Sequence, residues 1–243
     1  MFLVVKRKTL LVCVALLVVL AVGCVLLPPA TRPAMAVMQK GSRIVVIDAG
    51  HGGEDGGAVA ASGAVESGIN LAIAQRLNAL LQLLGEETVM IRTEDVSIYS
   101  EDAQTLRQKK ASDLKNRVAL VNGTPSAVLI SIHQNSLPSS PRVHGAQVFF
   151  AATEQSDTLA ASVQQALNAG VNVSNEKHEK QIDATIYLMK HVNCPAILVE
   201  CGFLSNAQEA ERLQEAEYQQ RLAVSIAAGF LSADRYGQER EVP

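Results

Sequence analysis

The sequence predicts a three-layer α/β/α domain built around a mostly parallel sheet. Two observations carry this. From Arg43 onward, short apolar runs alternate with amphipathic segments, the order that gives a parallel sheet covered by helices. Several runs, among them "RIVVID", "AVLISIH" and "AILVE", are apolar at successive positions, so both faces of those strands are to be buried. Roughly 200 residues follow Arg43, enough for one domain with a sizeable core.

The elements follow in order. Residues 43–48 are a strand. Residues 66–85 are a helix: Ile69, Ile73, Leu77, Leu80, Leu81 and Leu84 recur at helical spacing, and Gly85 is a natural stop. Residues 87–92 are a strand, and 105–122 a helix with Leu114, Val118 and Val121 inward. Residues 127–133 and 146–151 are strands, with a helix over 153–170. The runs "ATIYLM" (184–189) and "AILVE" (196–200) are strands, and 205–213 and 216–233 are closing helices. Ser205 or Asn206 can cap the first of these two.

Ahead of the domain, residues 9–27 are nineteen apolar or near-apolar residues without a charge, preceded by Lys6, Arg7 and Lys8. That length suits a transmembrane helix, and the basic flank keeps its start in the cytoplasm. A signal segment cleaved near Ala34-Met35-Ala36 is the rival reading, and a lipid-modified Cys24 a third. All three place the remainder outside the cytoplasm. The expected organisation is an anchor or signal segment over 1–27, a Pro- and Ala-rich linker over 28–42, a catalytic domain over 43–235 and a tail over 236–243.

With 21 basic and 24 acidic residues the net charge is −3, which offers no broad basic face for nucleic acid. Cys194 and Cys201 flank the last strand, and an extended run of seven residues spans about 23 Å, too far for a disulfide.

Ligands in open α/β sheets collect beyond the carboxyl ends of strands. Three apolar runs lead there into His51, His133 and Glu200, and the helix starting at Glu66 presents a carboxylate in its first turn. Two imidazoles and a carboxylate with an open position are a recurring hydrolytic zinc set. Such a site also needs a carboxylate as general base, and Glu200 is the candidate. The glycine-rich stretch "VVIDAGHGGEDGGA" lacks phosphate-loop spacing, and Glu54 and Asp55 would repel phosphate. His144, His178 and His191 stand among polar or turn residues and are expected at the surface.

Four stretches in this order, "VVIDAGHGGEDGGA", "ESGINLAIAQRL", "SIHQNS" and "AILVECGFLSNAQEAERL", resemble the motifs of the zinc-dependent N-acetylmuramoyl-L-alanine amidases of bacterial cell walls. The resemblance runs from about Arg43 to Leu231. It implies a single domain with a twisted six-stranded sheet, one Zn²⁺ held by His51, Glu66 and His133, and Glu200 as the catalytic carboxylate. It implies hydrolysis of the amide between the lactyl group of N-acetylmuramic acid and L-alanine. Asn135, by strand alternation, falls on the side of His133 and could orient substrate or support a ligand. The runs "YSEDAQTLRQKKASDLKNRVALVN" and "IYLMKHVNCPAILVE" are similar to the germination-specific subgroup of spore formers. The substrate expected is peptidoglycan, glycan strands with stem peptides. A membrane contact through the N-terminal segment and an accessory activator protein are the further partners. Ala49, Gln134, Ser136 and Cys201 depart from the family pattern without touching a ligand; Cys201 beside Glu200 suggests sensitivity to thiol reagents.

Overall fold

A computed structural model describes residues 43–240, and the side chains up to residue 233. The expected membrane or signal segment and the linker lie outside the described residues. No helix among the described residues is long and apolar enough to cross a membrane.

The sheet has six strands: β1 (Ile44–Ala49), β2 (Glu87–Met90), β3 (Ala127–Asn135), β4 (Gln147–Phe150), β5 (Lys180–Gln181) and β6 (Ala196–Phe203). Their spatial order is β2-β1-β3-β6-β4-β5. All neighbours are parallel except β4 and β6, which run antiparallel. The helices are α1 (Glu66–Leu83), α2 (Leu106–Gly123), α3 (Ser156–Gly170), α4 (Tyr187–His191), α5 (Ala207–Arg212) and α6 (Ala216–Arg240). One face of the sheet, through Val45, Ile47, Ile130, Ile132, Val148 and Val199, packs with α1, α3 and α6. The other, through Val46, Leu129 and Leu198, packs with α2 and α4. That is the expected three-layer arrangement.

Local chemistry explains the element ends. At the end of α1, Gly85 takes φ 84°; its N–H reaches the Gln82 carbonyl and the Glu86 N–H reaches that of Leu81, a helix stop that favours glycine. At the start of α2, the Thr105 hydroxyl accepts from the Gln108 N–H while the Gln108 side chain accepts from the Thr105 N–H. Thr105→Ala should lower unfolding stability by about 1 kcal/mol in a urea titration. Asn206, rather than Ser205, caps α5, accepting from the Glu209 N–H.

Three expectations need correction. The run "ATIYLM" is not a strand. The Asp183 side chain accepts from the Thr185 N–H, and its carbonyl accepts from Ile186 N–H, so the chain turns and enters α4 at Tyr187. The sixth strand is instead Lys180–Gln181, a short polar edge pairing with Phe149 and Phe150. In α2, Val121 and the half-buried Val118 pack on the core as expected, but Leu114 does not; the buried face carries Asp113 and Arg117 beside Val121. Helix α6 also continues to Arg240, past its expected end at residue 233.

Candidate metal centre and active site

The parallel register brings three carboxyl-terminal strand ends into line. β1 and β3 pair up to Ala49 and Ile132, and the ladder extends by one bond from the Gly50 N–H to the Ile132 carbonyl. His51 therefore leaves β1 beside the strand end that carries His133. His133 in turn pairs with Glu200 on β6.

α1 supplies the third group. Its N-cap, Val65, has no side-chain acceptor; instead Glu66 and Ser67 donate their N–H groups to the carbonyls of Ala58 and Gly56 in the glycine-rich loop. The loop is thus tied to the helix that carries Glu66. The Glu66 carboxylate is buried and shared between both imidazoles: its Oε1 lies 3.3 Å from His51 Nε2 and 3.1 Å from His133 Nδ1. It also accepts from the N–H groups of Gln134 at 3.0 Å and Ala58 at 2.8 Å. Burial favours its protonated form. The hydrogen bonds and charge of His133 and His51 outweigh burial and hold it well below the usual carboxylate range.

One donor atom from each of His51, Glu66 and His133 lies within 4.8 Å of the others, and the three form the one such group found among the described residues. The arrangement fits a metal ion in three respects. Two imidazoles and a carboxylate are the donor types that zinc accepts. The His51 Nδ1 faces the Asp55 carboxylate at 3.1 Å, which with the proton on Nδ1 leaves Nε2 free for a metal, the usual outer support of a metal-binding histidine. Two glycines leave the space: a methyl group on Gly50 would collide with the His133 ring, and one on Gly57 (φ 71°) with the Glu66 carboxylate and the His51 ring. Gly50→Ala should therefore displace His133 and weaken metal affinity about 10- to 100-fold with the fold intact, read by competitive chelator titration and circular dichroism.

His51 itself has φ 61°, a left-handed backbone that a non-glycine residue holds only under constraint. The constraint is a cage of buried guanidiniums. Arg92 donates from Nε to the Ala49 carbonyl (2.7 Å) and from Nη2 to the carbonyls of Gly50 (3.0 Å) and Ser67 (2.8 Å). Arg117 donates to the carbonyls of Ala49 (3.1 Å) and His51 (2.8 Å), to Asp48, and to Asp113 (2.6 Å). Asn70 adds a bond to the Gly50 carbonyl at 3.1 Å and accepts from the Gln134 side chain. Three consecutive carbonyls are thus fixed. The sequence reading missed these residues. The signal available was a pair of arginines, one ending a strand and one spaced i,i+4 from Asp113 on a helix face.

Glu200 lies beside His133 on the next strand. Its Oε2 is buried with no hydrogen-bond partner among the described residues. Burial raises its pKa to about 7, with Glu66 adding repulsion and the two histidines opposing. A buried carboxyl that exchanges its proton near neutrality is what a general base or acid requires. Asn135 pairs with Phe203 across an irregularity in the β3–β6 register, and its side chain makes no hydrogen bond among the described residues.

The remaining expectations sort clearly. His144, His178 and His191 are exposed. Cys194 and Cys201 are buried free thiols. Cys201 is fully buried; burial and the neighbouring Glu200 charge push its thiol far up, so it is not the reagent-sensitive group the sequence suggested.

The comparisons agree with this geometry. A family model described as N-acetylmuramoyl-L-alanine amidase matches residues 45–232. The chain is similar to the germination-specific N-acetylmuramoyl-L-alanine amidase of Bacillus subtilis, 36% identical over 202 residues, covering 83% of this chain and 82% of that protein. Among solved structures it resembles the CwlD amidase of Clostridioides difficile, determined in complex with the GerS lipoprotein (35% identity, 79% of this chain and 98% of that one, TM-score 0.76). It also resembles an N-acetylmuramoyl-L-alanine amidase of Clostridium difficile 630 (31% identity, 80% and 97%, TM-score 0.69). With the six-stranded sheet, the glycine-flanked His-Glu-His cluster and the neighbouring half-buried Glu200 all inside the matched segment, the chain belongs to the N-acetylmuramoyl-L-alanine amidase family.

Proposed function

We propose that the chain uses one Zn²⁺, held by His51, Glu66 and His133, to cut the amide between the lactyl group of N-acetylmuramic acid and L-alanine. We propose further that its substrate is spore-cortex peptidoglycan, whose stripped muramic acid is then available for muramic lactam formation during sporulation and is read at germination. The observation that carries the site assignment is the convergence of the three donor atoms within 4.8 Å, with Glu200 paired to His133 on the next strand. The likeness to the Bacillus subtilis germination-specific enzyme supports the cortex as substrate.

Zinc bound at this cluster would polarise the scissile carbonyl and lower the pKa of the attacking water. Glu200 takes a proton from the water that attacks the lactyl carbonyl carbon. The same carboxyl then gives the proton to the alanine nitrogen as the C–N bond breaks. Asp55 holds the tautomer of His51, and Arg92, Arg117 and Asn70 hold its backbone, so the imidazole needs no rearrangement on binding. Asn135, at the end of β3, orients the substrate.

The expected place of action is outside the cytoplasm, through the N-terminal segment as anchor or export signal. An accessory lipoprotein is expected as partner, on the likeness to the CwlD amidase solved with GerS. Mass spectrometry of cortex muropeptides from cells lacking the protein tests the cortex role. Missing muramic lactam supports it, and normal lactam with normal peptide substitution removes it.

A further inference from the structure

The strand register extends the active-site row by one more side chain. His133 pairs with Glu200 in the parallel β3–β6 ladder, and Glu200 pairs with Gln147 in the antiparallel β6–β4 ladder. Directly paired residues on neighbouring strands project from the same face, about 5 Å apart. His133, Glu200 and Gln147 therefore stand in a line across the sheet, with Gln147 on the side of Glu200 away from the histidines.

Gln147 is half-buried. Its own side-chain Nε2 donates to the His178 carbonyl at 2.8 Å, which fixes the plane of the amide. The backbone around it is held by buried side chains. The Gly145 N–H donates to Glu209 at 2.8 Å, the Ala146 N–H to Asn172 at 2.8 Å and the Val148 N–H to Gln164 at 2.8 Å. One amide hydrogen of Nε2 is used on His178; the second hydrogen and the Oε1 acceptor make no hydrogen bond among the described residues. A fixed carboxamide with a donor and an acceptor to spare matches one secondary amide of a peptide.

The direction of the reaction says which peptide amide. The acyl carbon is attacked at the histidine side of the row, and Glu200 must reach the leaving nitrogen to return the proton. Passing from His133 through Glu200 to Gln147 therefore leads from the acyl side of the scissile bond to its amine side. That order would leave the glycan on the histidine side and carry the stem peptide across Gln147.

We propose that Gln147 is a specificity-determining residue that binds the first peptide group of the stem beyond the scissile bond, the one joining L-alanine to the second stem residue. The proposal rests on the amidase reading of the site. It makes the enzyme prefer muramic acid carrying a peptide over muramic acid carrying L-alanine alone, because the single residue offers a terminal carboxylate where the peptide offers an amide.

The test uses two peptidoglycan fragments of equal glycan length, one bearing tetrapeptide stems and one bearing only L-alanine. Gln147→Met keeps the side-chain volume and removes both hydrogen-bonding atoms; Gln147→Ala is the second variant. Zinc content and thermal midpoint serve as controls for the site and the fold. For the tetrapeptide fragment kcat/KM should fall roughly three- to tenfold, mainly through KM, the size expected for one or two hydrogen bonds. On the L-alanine fragment the change should be under about twofold. Equal losses on both fragments, or none on either, in variants with normal zinc and fold would overturn the role of Gln147 while leaving the amidase reading in place. A wild-type protein with zinc bound that frees neither tetrapeptide from the first fragment nor L-alanine from the second would remove the amidase reading and this proposal together.

Discussion

Glu200→Gln is expected to bind zinc as the wild type does, to keep its thermal midpoint, and to lose about 10²- to 10⁴-fold in kcat. The carboxamide fills the same space beside His133 but can neither take a proton from water nor give one to the alanine nitrogen. The wild-type pH profile should carry an acid limb from this group. Burial raises the Glu200 carboxyl to about 7 in the absence of a metal charge. A bound cation pulls that value down, so the limb should fall at or below about 7, with activity rising as the pH rises through it. In Glu200→Gln the residual rate should lose that limb. Substantial turnover in the variant with an unchanged acid limb would remove Glu200 from its role.

The second large effect concerns Arg117, which supports the His51–Glu66–His133 cluster from outside it. Its guanidinium is buried between Asp48 and Asp113 and holds the His51 carbonyl. Removing one partner of a buried ion pair costs about 3–5 kcal/mol, because the other partner is left charged and dry. Arg117→Met should destabilise by that order in urea titration. It should also weaken zinc affinity through the freed loop, beyond the loss seen when Thr105→Ala destabilises the protein at the start of the same helix. Asp48 fixes the sign of the pH dependence. Burial alone would raise its pKa, but Arg117, His133 and the Ser131 hydroxyl outweigh burial and hold it below the ordinary 3.8. A carboxylate depressed in the fold stabilises above its unfolded pKa, and that contribution is lost as the pH falls through the folded value. Without Arg117, burial acts unopposed by it and Asp48 prefers its proton. The stability gap between wild type and Arg117→Met should therefore be wide at pH 7 and narrow below about pH 4. A gap independent of pH would contradict the ion-pair account.

The legible part of this protein is the part that repeats a local rule. The period of Ile69, Ile73 and Leu77 showed the helix, and apolar runs ending on His51, His133 and Glu200 showed where strands end and chemistry begins. His51 and His133 lie together because parallel strands in register put their carboxyl ends on one edge, and Glu66 joins them because the start of α1 is tied to the glycine-rich loop. What escaped depends on contacts between distant segments. Arg92 and Arg117 look like ordinary charged residues in sequence; only the close approach of three elements to the Ala49–His51 carbonyls makes them internal supports. The run "ATIYLM" misled because its apolar residues suit a strand, while the Asp183 side chain turns the chain just before them. The short edge β5 carries Lys180 and Gln181, with no apolar pattern to announce it. In sequence Asp55 reads as a charge hostile to phosphate; its bond to His51 depends on the loop closing through the Gly52–Asp55 bridge.

The most direct measurement is digestion of purified peptidoglycan by the zinc-loaded protein in water enriched in ¹⁸O, with mass spectrometry of all fragments. The expected products are intact stem peptides with a free L-alanine amine, together with peptide-free glycan whose muramic acid lactyl carboxylate carries the label. Label in carboxylates within the stem, or single residues released from its far end, would show a peptidase and contradict the assignment of the site.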